Sequence, residues 1–187
     1  MGAEPLWAQL INSDWHDHLG GGRRADRLDD DRWLASFLAL AGWRTRRLPG
    51  ARERARLRAL RAVLGRAVAA LVAGADPAAR DATALNRLLD RFPTVARLRL
   101  GTGGRLELAT VPVARGFALA LGAVAASFAE FLAGGDPSRI RVCANPDCRW
   151  VFLDASRNRT RRWCEAGVCG SLVKVRRFRA RYRPARR

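Results

Sequence analysis

The sequence predicts an α+β protein, with a mostly α-helical N-terminal domain carrying one β-hairpin (1–137) and a small C-terminal cysteine-rich module (138–187). Three observations carry this. Apolar residues recur every three or four positions through several N-terminal stretches, the period of a helix with one buried face. Two alternating segments, Val95 to Leu100 and Arg105 to Val111, flank a glycine-rich Gly101-Thr102-Gly103-Gly104, the pattern of a hairpin and its turn. All four cysteines fall late in the chain, as Cys143-x4-Cys148 and Cys164-x4-Cys169 with fifteen residues between the pairs.

Taken in order, Leu6 to Leu19 mixes aromatic and polar residues and ends in Gly20-Gly21-Gly22, expected to be a flexible loop. Asp29 to Asp31 place carboxylates at the start of a helix through Trp33, Leu34, Phe37, Leu38 and Leu40, which stops near Gly42. From Ala51 to Ala73, Leu57, Leu60, Leu64, Val68 and Leu71 form a core stripe. Arg52, Arg54, Arg58, Arg61 and Arg66 should make a solvated basic back. Pro77 at a start and Pro93 beyond an end bracket a helix through Leu85, Leu88 and Leu89, with Asp76 as its N-cap. Within the hairpin, Leu98 and Leu100 should share a face with Leu106 and Leu108. Phe117, Leu121, Val124, Phe128 and Leu132 trace the stripe of a central helix. The apolar stretch Gly116 to Gly135 barely reaches membrane-spanning length and holds Glu130, so a core helix is the expectation. Gly134-Gly135-Asp136-Pro137 ends it and marks the domain boundary.

Charge separates the two parts further. Of a formal +18 over 187 residues, residues 141–187 carry 14 Lys/Arg against 3 Asp/Glu, and residues 1–140 carry 21 against 14. A strongly cationic module requires an anionic partner or heavy hydration, and nucleic acid is the expected partner. Lys174 is the sole lysine, so arginine bias in the genome could contribute to this charge. Guanidinium is nonetheless the better group for bidentate contacts to phosphate and guanine. No signal peptide is read at Met1 to Leu10, and Leu6 stands where an N-myristoylation signal has Ser or Thr. A cytoplasmic location without membrane attachment is expected.

Two close cysteine pairs at this separation favour one structural Zn2+ with all four sulfurs as ligands, leaving no open coordination position. The alternatives are two disulfides, suited to a small secreted domain, and unrelated buried or redox thiols; no C-x-x-C is present. Asn145, Pro146 and Asp147 suit a tight turn between Cys143 and Cys148, and Arg149 to Asp154 reads as a short strand with Trp150 or Phe152 over the metal. Ser156 to Arg162 reads as an exposed basic loop. A last helix should run from Leu172 to about Tyr182, N-capped by Ser171 and stopped before Pro184. Leu172, Val175, Phe178 and Tyr182 would dock on the zinc core, with Lys174, Arg177 and Arg181 on one outer face and Arg176, Arg179 and Arg183 on another. Knuckle, hairpin and a ligand at a helix start suggest a treble-clef-like zinc finger. The candidate nucleic-acid contacts are Arg157, Arg159, Arg161, Arg162, Lys174, Arg176, Arg177 and Arg181.

In Cys143-x4-Cys148, the run Phe152-Leu-Asp-Ala-Ser-Arg-Asn158, Arg161-Arg-Trp-Cys164, Cys169-Gly170 and the basic helix, the chain resembles the CGNR-type zinc-finger proteins, in which an ABATE domain precedes the finger. A looser likeness in Leu10-Ile-Asn-Ser13 and Leu85-Asn86 extends it to the N-terminal part. The name-giving Cys-Gly-Asn-Arg reads Cys169-Gly170-Ser171-Leu172 here, which keeps the ligand and loses an arginine. The resemblance implies a bacterial transcription regulator linked to stress responses.

The leading expectation is therefore a non-enzymatic DNA-binding regulator. An RNA-binding or ribosome-associated protein and a protein-interaction adaptor are the alternatives. No catalytic constellation or phosphate loop stands out, and His16-Asp17-His18 reads more readily as ordinary loop residues than as a second metal site. The N-terminal domain is expected either to sense a small-molecule effector, in a pocket near Asn12, Ser13, Trp15 and His16, or to form a homodimer.

Overall fold

A computed structural model describes residues 4–182. Met1, Gly2, Arg183 and Pro184, invoked above, lie outside them. The elements in chain order begin with α1 (Leu6–Ile11), β1 (Asp14–His16), β2 (Arg24–Asp26) and α2 (Asp31–Leu40). There follow α3 (Ala51–Val72), α4 (Ala79–Leu89), β3 (Thr94–Leu100), β4 (Leu106–Pro112) and α5 (Gly116–Gly134). The module adds β5 (Ile140–Val142), β6 (Val151–Leu153) and α6 (Ser171–Arg181). Among the described residues the strands form three two-stranded antiparallel hairpins, β1-β2, β3-β4 and β5-β6.

The helical part forms around α1, α3 and α5. Trp7 is fully buried, with its ring 5.4 Å from Phe128 and 5.3 Å from Phe131. Phe117, Leu121, Val124 and Phe128 of α5 enter the same core as Leu34, Phe37, Leu57 and Leu64. By length and composition α5 could cross a membrane, at mean hydropathy 1.8, but its apolar stripe is spent on this core. Two helix starts follow from local chemistry. The Asp30 carboxylate accepts from the Arg32 and Trp33 amides at α2, and the Gly50 amide donates to Glu53 at α3.

Several expectations need correction. The opening segment holds a second N-terminal hairpin, β1-β2, because Asp14 to His16 pairs with Arg24 to Asp26 across the glycine turn. That turn is docked. Gly20 has φ 83°, and an added Cβ would lie 2.5 Å from Arg176 Nη2, whose guanidinium donates to the Leu19 carbonyl. Asp76 does not cap α4, whose N-cap is Ala78 without a side-chain bond. Most of the α3 arginines are ion-paired instead of solvated. Arg54 pairs with Asp31, Arg58 with Asp26 and Asp29, Arg61 with Asp26, and Arg66 with Asp81. At Asp26, burial raises the carboxyl pKa, but hydrogen bonds from Arg61 and Arg58 outweigh it and hold the group at about 2. Four of the six arginines of α3 are thus neutralised internally.

The module shares this core. Ile140 of β5 and Val151 of β6 are buried with it, and β5 and β6 lie against α3 and α1. The β3-β4 hairpin does the reverse. Its register sets Leu98 against Leu108 and Leu100 against Leu106, as expected, but every residue of β3 is exposed.

Candidate metal centre and the cationic surface

The β5-β6 hairpin turns through Cys143 and Cys148, while Cys164 and Cys169 arrive from the following loop and from a π-helical turn, Ala166–Gly170, that runs into α6. All four are free thiols, and their sulfurs lie within 4.8 Å of one another. Cys148 and Cys164 sulfurs are 3.6 Å apart, and those of Cys164 and Cys169 are 3.7 Å apart. A tetrahedron with Zn–S of about 2.3 Å has sulfurs about 3.8 Å apart, whereas a disulfide needs about 2.05 Å. The cluster therefore fits one structural Zn2+ held by four thiolates. Phe152 is buried beside it, and Trp150 and Trp163 pack partly over it.

The local fold explains the convergence. Arg149, directly after Cys148, lies in the left-handed region at φ 54°. This reverses the chain so that the Trp150 carbonyl accepts from the Cys143 amide at 2.9 Å and the Trp150 amide bonds the Cys148 sulfur. Gly170 lets the Trp163 ring pack closely, since a Cβ there would lie 3.3 Å from the ring. In the free thiols, the hydrogen bond from Cys164 holds Cys148 down to about 5, and the same bond pushes Cys164 up. Burial pushes Cys169 up to about 11. One thiol ionises ahead of its neighbours, and a divalent cation stabilises all four as thiolates.

Sequence reasoning missed three supporting residues. Asn145 is fully buried; its amide donates to the Cys169 sulfur at 3.6 Å and to the His18 carbonyl at 2.9 Å, tying the centre to the β1-β2 hairpin. Asp154, also fully buried, accepts from the Ser156 amide and hydroxyl and from the Arg161 amide, so it shapes the basic loop. Arg149, which the sequence places only within a strand, is the third.

The sequence-predicted cations fall into two groups. Arg159, at φ 52°, is held by Asp136 and Ser138; Arg161 stacks 4.7 Å over Phe152 and donates to the Trp163 and Cys164 carbonyls; Arg176 bonds Asp147 at 2.6 Å and Leu19. These three serve the fold. Arg157, Arg162, Lys174, Arg177 and Arg181 are exposed and make no ion pair among the described residues. Arg162 stacks over the Trp163 ring at 5.3 Å, which holds it beside the finger.

Helix α6 does not dock through Leu172, Val175, Phe178 and Tyr182. Val173 is its buried residue, whereas Val175, Phe178 and Tyr182 are exposed, with the two rings 4.5 Å apart. A π turn holds one more residue than an α turn, and its insertion rotates the face that α6 presents to the finger. For the same reason Ser171 is not a free N-cap. It is the first residue of α6, with the π turn already before it, and its hydroxyl donates to Ala166 at 3.5 Å.

The four residues of the expected pocket separate. Asn12 is buried, and its amide pairs with both the amide and the carbonyl of Val151, at 2.8 and 2.9 Å, as a neighbouring strand would. Ser13 is fully buried, donating to Leu10 and accepting from Arg61. Both are committed to packing. Trp15 and His16 do face a cleft of about 280 Å³ between the β1-β2 hairpin and the cysteine cluster, with Trp150 and Glu165 on its far wall. In His16-Asp17-His18, Asp17 is buried and turned to the Leu19 amide and Arg23.

Comparison with known families agrees with this geometry. The ABATE family model, described as "Putative stress-induced transcription regulator", matches residues 4–135, and the CGNR zinc finger model matches residues 139–182. No curated protein matches the chain.

Proposed function

Because the chain belongs to the ABATE family and ends in a CGNR zinc finger, we propose that it is a DNA-binding transcription regulator of the cytoplasm, in which Cys143, Cys148, Cys164 and Cys169 ligate one structural zinc ion. The family description points to regulation rather than catalysis. The observation that carries the reading is the contrast between Arg54, Arg58, Arg61 and Arg66 of α3, which are held by carboxylates, and Arg157, Arg162, Lys174, Arg177 and Arg181, which are exposed without carboxylate partners among the described residues. Cations left unneutralised on a small rigid module are the footprint of phosphate binding. The zinc centre fixes the loop and α6 that carry them, within the division 1–137 and 138–187.

Binding to random and genomic DNA over a salt series tests this. The expected result is a log affinity that falls with log salt at a slope of about −0.9 per neutralised phosphate, together with enrichment of a sequence motif. No binding at low salt overturns it.

A second reading, single-stranded RNA or DNA, is favoured by the exposed Phe178 and Tyr182 rings among these arginines, because aromatic faces beside cations form a stacking platform for unpaired bases. Competition between duplex DNA and single strands of the same sequence separates the two.

A further inference from the structure

We propose that the β3-β4 hairpin is a self-association surface through which two copies of this chain pair face to face. Strand register divides the hairpin into two faces. One carries Arg97, Arg99 and Glu107, together with Ala109 and Val111, the two half-buried positions of β4. The other has no charge at any position and centres on Leu98, Leu100, Leu106 and Leu108, exposed by 69, 73, 69 and 74%. This inverts the usual arrangement, in which a hairpin turns its apolar face inward and its charges to water. A lone two-stranded hairpin is also marginally stable in water, and every residue of β3 is exposed. The hairpin is completed by something that covers the leucines.

Three features identify that partner as a second copy. Leu98 opposite Leu108 and Leu100 opposite Leu106 form one compact leucine square, and an isologous interface sets the same patch of each copy against the other, so leucine meets leucine throughout. In a chain of formal charge +18, an uncharged face is a place where two copies meet without like-charge repulsion, and it offers nothing to a phosphate. Four leucines at this exposure leave on the order of 500 Å² of apolar surface per copy, so stacking two faces about 10 Å apart buries about 1,000 Å² in total, the lower bound for a specific interface.

The test is the mass of the zinc-loaded full chain in solution, without nucleic acid, by sedimentation and light scattering from about 1 to 100 μM, a range that reads weak interfaces at the small end of the size scale. The expected wild-type result is a concentration-dependent rise to twice the chain mass. L98E/L108E and L98K/L108K should each be monomeric, with zinc content and circular dichroism unchanged because these side chains are exposed. An equimolar mixture of the two variants should restore a dimer, since an acidic face then meets a basic one. A wild-type monomer throughout the range, which leaves the face to a different partner, overturns the proposal. So does a dimer that survives L98E/L108E, or a mixture that stays monomeric.

Discussion

Asn145 and Asn12 hold the finger in place by different means, and each makes a measurable prediction. Asn145 donates to the Cys169 sulfur and to His18, so Asn145→Ala removes a hydrogen bond from a thiolate ligand and is expected to lower zinc affinity by about 10-fold, read by competition with a chelator. Asn12 satisfies both backbone groups of Val151; Asn12→Ala leaves them buried and unpaired and is expected to cost about 2 kcal/mol in denaturant unfolding. Arg149 occupies the left-handed region, so Arg149→Val should cost about 1–2 kcal/mol in the same measurement, whereas Arg149→Gly should not. The four ligands were legible in the sequence because their spacing alone sets the chemistry. Asn12 was not, because its partner is 139 residues away and nothing in a one-dimensional pattern points across that distance.

Helices α3 and α6 show what periodicity does and does not reveal. The core stripe and length of α3 were legible, since one apolar face dictates both. The fate of its arginines was not, because Asp26, Asp29, Asp31 and Asp81 come from other elements. The pairs at Asp26 make stability depend on pH. Its pKa is depressed to about 2 from 3.8, so the unfolded chain binds more protons between those values. Stability is full above about pH 4 and is lost as pH falls toward 2. Asp26→Asn should flatten that part of an acid-unfolding curve. For α6 the sequence revealed the helix and its cations but not the face that docks, which the π turn sets. Charge reversal of Lys174, Arg177 and Arg181 should therefore reduce nucleic-acid affinity and shorten the salt slope by about 2–3 without changing zinc content, read by the binding titration above.

The fold joins a helical domain and a finger through one core, with Ile140 and Val151 buried among the side chains of α1 and α3. Chelation of zinc should consequently release the cysteine loops and α6, seen as a partial loss of helical circular dichroism and of protection in hydrogen exchange, while α1, α3 and α5 stay protected. The path from the Leu19-Gly20 turn through Arg176 to Asp147, and from His18 through Asn145 to Cys169, carries a further consequence. Free energy spent at one end of such a chain of bonds is felt at the other by the same factor in both directions. Gly20→Ala, which crowds Arg176 and Asp147 without touching a ligand, should weaken the hold on zinc, read by competition with a chelator, and the ion in turn should stiffen the turn at Gly20. With that outcome the bound metal would serve as a reporter on the N-terminal hairpin, tightening or loosening with it.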